Sequence, residues 1–288
     1  MSDWSSVETG VSAKRSGAAL IWLLLTSAVS PIASAALGPE AAAMNQPITP
    51  FRIVGPLYYV GASDVASYLL VTPAGDILID GGFAETAPLI EANVAALGFK
   101  ITDVKWLLNG HAHPDHAGGL SQLKRDSGAR FAAMGAEVIP LEHNGQGTFY
   151  KGDKSLFDSV TVDRVLQDGD HIDLGGIRLT AHLTAGHTPG CATWTTQLSD
   201  GRNQHSVVIA CQISVPAANI SYEGMNADFK QTYTLLRSLP CDIFLAEHGK
   251  AFSLTEKLAR RTRNSSVNPF VDPTGCARYV DQAEQEAR

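Results

Sequence analysis

The segment from Asn109 to Gly119, NGHAHPDHAGG, concentrates side chains that can bind a metal. Four of them fall within a few residues of one another: His111, His113, Asp115 and His116. Neutral imidazole and carboxylate groups are ligands of zinc and its first-row neighbours. On an extended segment, alternate residues such as His111 and His113 can point the same way, while the next two turn toward a second point. The pattern predicts a metal site rather than a polar surface turn that happens to contain histidines.

Two more histidines stand where further ligands would be useful. His187 follows a predicted strand and lies between Gly186 and Thr188-Pro189-Gly190, and His248 follows another strand and precedes Gly249. Glycine beside each histidine lets the backbone fold closely around an ion. A lone histidine in such a loop is more often a surface or capping residue. The cluster already present favours the ligand interpretation for both. His182, on the strand before His187, is interpreted as structural.

The elements around these loops indicate an α/β fold. A buried strand, Val104 to Leu108, leads into the histidine cluster, and a short helix is predicted over Leu120 to Asp126. Two further helices are predicted to begin at cap residues, Thr86 and Asp228. A last helix is predicted to start near Thr274. Strands with a helix and then a ligand-bearing loop recur in both halves of the chain. This order predicts two αβ halves whose sheets pack face to face, with the loops meeting at one edge.

The first 36 residues predict a cleaved signal peptide. A basic pair, Lys14 and Arg15, precedes an apolar run from Ala18 to Val29 and an A-x-A ending at Ala35. The run is shorter than the about 20 residues that a transmembrane helix needs, although a retained anchor is the alternative. We expect a periplasmic or secreted protein, with a lead-in over 37–50 and one domain over 51–288.

Charge and cysteine content narrow the possible partners. The chain of 288 residues has a formal net charge of −7, which argues against nucleic acid or an anionic membrane as the main partner. A small-molecule substrate and a monomer are expected. The four cysteines are Cys191, Cys211, Cys241 and Cys276, and export permits disulfides, with three possible full pairings.

The HxHxDH cluster, followed by a glycine-flanked histidine and a third histidine after a strand, resembles the metallo-β-lactamase superfamily. The resemblance covers the chain from about Phe51 to its end. It implies a four-layer αββα sandwich with a metal site at the edge of the sheets, holding two Zn²⁺ ions per chain. The first zinc would be bound by His111, His113 and His187. The second would be bound by Asp115, His116 and His248.

A missing aspartate narrows the resemblance to a subgroup. Thioesterases and lactonases of this superfamily carry a metal-bridging aspartate after a strand between the second and third histidine blocks. Here Cys211 follows that strand, Ser206 to Ala210. The absence of that aspartate points to the β-lactamases. The stretches Ala185–Thr195 and Asn268–Cys276 look like those of their third subclass. The resemblance also implies a disulfide between Cys241 and Cys276.

Cys211 departs from the pattern of that subclass, which usually has serine there, near the second metal, to help hold the substrate. Three roles are open for it: contact with the second metal, a disulfide with Cys191 across a hairpin centred near Gly201, or a free buried thiol. We expect the free thiol.

The resemblance implies hydrolysis of the β-lactam amide bond of penicillins, cephalosporins or carbapenems, and thereby antibiotic resistance. Asp115 would orient the attacking water and pass a proton to the ring nitrogen. Ser214 is a candidate for binding the substrate carboxylate, and the loop Leu141 to Tyr150 for a wall of the cleft. The first alternative is a secreted hydrolase of another ester, thioester or lactone. The second is a metal-binding protein without turnover.

Overall fold

The computed structural model describes residues 37–146, 156–215, 221–263 and 267–286. The predicted signal peptide therefore lies outside the described residues, as do residues 147–150 of the loop expected to wall the cleft. Among the described residues, no helix is both long enough and apolar enough to cross a membrane.

The first sheet has seven strands in sequence order. The first four pair antiparallel, and the last four run parallel to their neighbours. The strands are β1 (Phe51–Val54), β2 (Leu57–Tyr59), β3 (Tyr68–Thr72), β4 (Gly75–Ile79), β5 (Val104–Leu108), β6 (Arg130–Met134) and β7 (Arg164–Leu166).

The second sheet has five strands. Four of them form an antiparallel meander, and the fifth lies parallel to the fourth at the sheet edge. The strands are β8 (His171–Leu174), β9 (Ile177–Leu183), β10 (Ala192–Ser199), β11 (Gln204–Ala210) and β12 (Ile243–Ala246). The tight connection from β10 to β11 confirms the hairpin expected around Gly201.

Eight α-helices occur within the described ranges. They are α1 (Pro39–Met44), α2 (Ala87–Ala96), α3 (Pro114–Ala117), α4 (Leu120–Ser127), α5 (Val138–Glu142), α6 (Met225–Ser238), α7 (Leu254–Arg263) and α8 (Gly275–Glu286).

Alternating side chains in the first sheet divide the apolar core into layers. On β4, Ile77 and Ile79 pack into the cluster shared with Trp194 of the second sheet. Leu78, between them, points the other way and packs with Ile90 of α2. On the far side, α8 packs against β12, where Tyr279 and Phe244 have ring centroids 4.9 Å apart. The layers are thus helices, sheet, sheet and helices, which confirms the predicted αββα sandwich.

The predicted helices differ from the structure in three details. Thr86 is the N-cap residue of α2 as predicted, but its side chain makes no capping bond, because its hydroxyl donates to Oδ1 of Asn45 at 2.7 Å. Asp228 does not cap α6, since the helix begins at Met225 and Asp228 lies in its first turn. The helices α1, α3, α5 and α7 were not predicted at all. The sequence of α7, LTEKLARRTR, does carry a helical period, because Leu254 and Leu258 stand one turn apart and both pack into the core.

Candidate metal centre

The histidine cluster lies on the loop between β5 and α3, at one edge of the first sheet. Pro114 begins α3, so His113 still has extended backbone while Asp115 and His116 are already helical. Asp80, directly after β4, fixes the loop with two hydrogen bonds. Its Oδ1 accepts one from the backbone N–H of Gly110 at 2.8 Å and one from the side-chain amide of Asn109 at 3.2 Å. Two neighbouring parallel strands therefore fix where the first imidazoles stand.

Three histidines form the first donor group: His111, His113 and His187. One ring nitrogen of each lies within 4.8 Å of the others, and Nδ1 of His113 is 3.1 Å from Nε2 of His187. His187 comes from the connection between β9 and β10, and its Nδ1–H donates to the backbone carbonyl of Ser214 at 2.9 Å. Since that carbonyl only accepts, Nε2 of His187 keeps its lone pair for a ligand.

His111 is oriented in the same way by a carboxylate. Its Nδ1–H donates to Oε1 of Glu247 at 3.0 Å, which leaves Nε2 with the lone pair. That Nε2 is buried and has no hydrogen-bond partner. A buried nitrogen without a partner costs free energy in a folded protein, and a metal ion bound to the lone pair removes that cost.

The second donor group joins the loop to the end of β12: Asp115, His116 and His248. Oδ2 of Asp115 is 3.3 Å from Nε2 of His116 and 3.4 Å from Nε2 of His248, and the two imidazole nitrogens are 3.3 Å apart. Nδ1–H of His248 donates to Oδ2 of Asp64 at 3.1 Å, so its Nε2 is again turned inward.

These distances match a shared tetrahedral ion. Ligand atoms about 2.0–2.1 Å from one zinc ion stand about 3.4 Å from one another. The three separations of the second group have that value, and the chemistry of both groups, three imidazoles in one and a carboxylate with two imidazoles in the other, suits zinc. Both groups therefore fit the metal that the sequence predicts.

The electrostatics of the two groups differ. Burial, together with the neighbouring imidazoles, lowers the pKa of His111 well below its usual value, and burial also lowers the pKa of His187. Both imidazoles are thus neutral, the form that binds a metal. Burial opposes charge on His116 too, but the carboxylates of Asp115 and Glu247 outweigh it and raise the pKa to about 10. This region favours a positive charge, whether a proton or a metal cation.

Sequence reasoning missed the buried carboxylates that support the ligands. Glu247 bonds His111, and its other oxygen accepts the N–H of Gln212 at 2.7 Å. Glu137 ties two ligand loops together, because it accepts the N–H of Ala112 at 2.7 Å and the N–H of Gly190 at 2.9 Å. The only available signal was position: Glu247 directly precedes a candidate ligand at a strand end, whereas Glu137 had none.

The predicted free thiol at Cys211 was wrong. Cys211 forms a disulfide with Cys191, their Cα atoms 5.9 Å apart, and Cys241 forms one with Cys276. The first pair arises because β10 and β11 are neighbours, so that residues at the start of one strand and just beyond the end of the other come together. Sγ of Cys211 is still 3.6 Å from Nδ1 of His111, so the disulfide lies directly beneath the first donor group.

The two remaining residues of the sequence analysis, His182 and Ser214, lie in different parts of the structure. His182 is not near either donor group, since its Nε2 bonds the hydroxyl of Thr195 at 2.8 Å on the neighbouring strand. Ser214 lies beside the site, where its hydroxyl accepts from the amide of Gln212 at 2.7 Å. Gln212 and Ser214, with His248 and Lys250, line a cavity of about 300 Å³ next to the second donor group.

Comparison with known proteins agrees with this architecture. Residues 60–200 match the family model described as the metallo-beta-lactamase superfamily. The structure of the native FEZ-1 metallo-beta-lactamase from Legionella gormanii is 43% identical, with a TM-score of 0.80, over 84% of this chain and 95% of that one. BJP-1, a subclass B3 metallo-beta-lactamase of Bradyrhizobium japonicum, is 31% identical with a TM-score of 0.79, over 85% and 94%.

The curated sequence relatives include hydrolases with other names. A hydroxyacylglutathione hydrolase from Acidiphilium cryptum is 32% identical over 206 residues, 70% of this chain and 68% of that protein. A probable metallo-hydrolase and another hydroxyacylglutathione hydrolase match over only 36% and 45% of their own lengths. The chain belongs to the metallo-β-lactamase superfamily. Within it, the chain is similar in structure to subclass B3 enzymes.

Proposed function

We propose that this protein is an exported, zinc-dependent β-lactamase. The observation that carries the proposal is the pair of donor groups at one edge of a sandwich similar to that of FEZ-1 and BJP-1, with a disulfide where thioesterases of the superfamily would have a bridging aspartate. His111, His113 and His187 would hold one ion, and Asp115, His116 and His248 the other. Zinc, when bound, supplies Lewis-acid polarisation of a carbonyl and lowers the pKa of a water to about 7.

Asp115 is suited to orient the attacking water. Burial raises its pKa, but His116 and His248 reverse the effect and hold the pKa well below the usual value, so the carboxylate stays ionised. Its side chain keeps 21% of its surface exposed, which leaves room for a water to donate to it. As the oriented water attacks the carbonyl, its proton would pass to this carboxylate, which would then deliver it to the amide nitrogen as the C–N bond breaks.

The cavity beside His248 would bind the rest of the substrate. Its volume of about 300 Å³ lies at the lower end of ligand sites in proteins, which suits a small bicyclic molecule. The Ser214 hydroxyl accepts from Gln212, so its own hydrogen is free to bond the substrate carboxylate. Lys250, on the rim, adds a cation of opposite charge to that carboxylate.

Hydrolysis of a thioester is the second candidate, because hydroxyacylglutathione hydrolases are among the relatives. The absence of an aspartate at Cys211 argues against it. A metal-binding protein without turnover is a third possibility.

A substrate panel tests the three possibilities. The mature protein would be assayed with a chromogenic cephalosporin, a carbapenem and a glutathione thioester, as purified, after chelation, and after zinc is restored. We expect turnover of the β-lactams that disappears with chelator and returns with zinc. Asp115→Asn should reduce this turnover by about 100-fold or more, whereas the matched control His182→Gln should retain it.

Two outcomes contradict the proposal. Turnover of the thioester alone would move the protein to the second candidate. Zinc bound at two equivalents without turnover of any substrate would favour the binding protein.

A further inference from the structure

A second cavity is lined by residues of β12, α7 and α8. Its volume is about 430 Å³, and its lining includes Lys250, Lys257 and Arg278 but only one carboxylate, Asp281. That carboxylate is partly balanced by Arg237, whose Nη2 lies 2.6 Å from its Oδ1 and which also pairs with Glu284. In a chain of net charge −7, this cavity is therefore a locally positive region.

Lys257 is the unusual member of the lining. Only 2% of it is exposed, yet within the described part of the chain its ammonium makes no hydrogen bond and no ion pair. It lies between two aromatic rings, with Nζ 5.7 Å from the ring centroids of Phe252 and Phe270. Contacts of this kind stabilise a cation only partly. Since Lys257 is part of the cavity lining, an anion bound there would supply the acceptor that its ammonium lacks.

Asp272 is the carboxylate whose charge acts on Lys257, but its oxygens are already bound to other residues. Asp272 forms an ion pair with Arg278 and accepts the hydroxyl of Thr274 at 2.8 Å. Burial, opposed by Asp272 but helped by Arg260 and Arg278, lowers the pKa of Lys257 to about 8. Because Arg278 is paired with Asp272, the excess positive charge of the cavity lining belongs to Lys250 and Lys257.

We propose that this cavity binds a small tetrahedral oxyanion of the phosphate or sulfate class, with Lys257 as its buried anchor. The two oxygens of a tetrahedral anion that face inward would accept from the ammonium, and those that face outward would meet Lys250 and Arg278. None of the candidate metal ligands lines this cavity, although Lys250 lines both it and the cavity beside His248.

Inorganic sulfate is the probe, because it binds zinc weakly. The zinc-loaded mature protein would be titrated with sulfate at constant ionic strength, maintained with chloride, and binding followed by calorimetry and by the melting temperature. A specific site gives a saturable rise in melting temperature, whereas exclusion of sulfate from the protein surface gives a rise without saturation.

Lys257→Met supplies the decisive comparison, since methionine keeps the length and the contacts with both rings. We expect sulfate binding to weaken by about tenfold or more in this variant, and to be unchanged in Lys100→Met, which removes an exposed lysine elsewhere. Arg278→Gln, expected to weaken binding several-fold, takes its place if Lys257→Met does not fold. Equal binding by wild type and Lys257→Met, or a response without saturation, would overturn the proposal.

Discussion

At the scale of single residues, Glu247 is the most informative side chain of the site. It is 2% exposed, and its two oxygens are both committed, one to Nδ1–H of His111 and the other to the N–H of Gln212. A carboxylate behind a ligating histidine fixes which nitrogen faces the metal and makes that nitrogen more basic. Glu247 is therefore a positioning residue for the first donor group.

Replacement by glutamine tests this role. In Glu247→Gln the side chain has one acceptor oxygen instead of two, so it can serve His111 or Gln212 but not both. We expect zinc affinity to fall by about 10- to 100-fold, measured by competition with a chromophoric chelator. Glu256→Gln, on the exposed face of α7, is the control. Unchanged affinity in a folded Glu247→Gln protein would show that His111 needs no carboxylate to hold its orientation.

At the scale of elements, the loop between β5 and α3 depends on one glycine. A Cβ on Gly110 would overlap Oε1 of Glu247, which cannot move without breaking its bond to His111. Gly110→Ala should therefore lower the free energy of unfolding by about 1–3 kcal/mol and weaken zinc binding as well. Gly38→Ala, where a Cβ would meet no atom of the other described residues within 4 Å, apart from its chain neighbours, should change neither. Denaturant unfolding and zinc competition on both variants check the prediction, and a stable, zinc-binding Gly110→Ala protein would refute it.

The two disulfides should contribute separately to stability and to the site. Their sequence separations are 20 and 35 residues, which correspond to about 3–4 kcal/mol each in the chain-entropy model. Replacing Cys241 and Cys276 together by serine should lower the melting temperature and leave zinc affinity unchanged. Replacing Cys191 and Cys211 should lower both, because only this pair contacts His111. If the two double variants lose the same amount of zinc affinity, Cys211 does not support the first donor group.

Strands and helices could be predicted where their apolar residues recur with a regular period. The alternation of β4 and the helical period of α2 report directly which side of each element is buried, so both were found. The side-chain partner of Thr86 was not predicted, because Asn45 is remote from it in sequence. The same reason hid Glu137 and Glu247. The motif predicted the ligands that could be named, but not the buried carboxylates that orient them.

At the scale of the whole molecule, the candidate centre spans both sheets. His111, His113, Asp115 and His116 follow β5 of the first sheet, whereas His187 and His248 follow β9 and β12 of the second. Each ion would therefore join loops that belong to different sheets, and binding it would stabilise the sandwich as a unit.

This stabilisation should depend on pH in a defined direction. The pKa of His116 is raised to about 10, and the pKa of His248 is also raised, with Asp115 and Asp64 as its acceptors. Without zinc, these protons stabilise the folded state fully below about pH 6.5, the value of free histidine, and their contribution decreases as the pH rises toward the folded pKa. Zinc must displace the same protons, so its affinity decreases as the pH falls.

Both effects act together, so the difference in melting temperature between zinc-loaded and chelated protein should be large near pH 7.5 and small near pH 5.5. Scanning fluorimetry across that range measures it, and calorimetry in buffers of different ionisation enthalpy counts the protons released. His248→Gln should reduce both the difference and its pH dependence. His143→Gln, which changes an exposed histidine, should retain them. A zinc effect of equal size at both pH values would mean that the second donor group does not exchange protons for the metal.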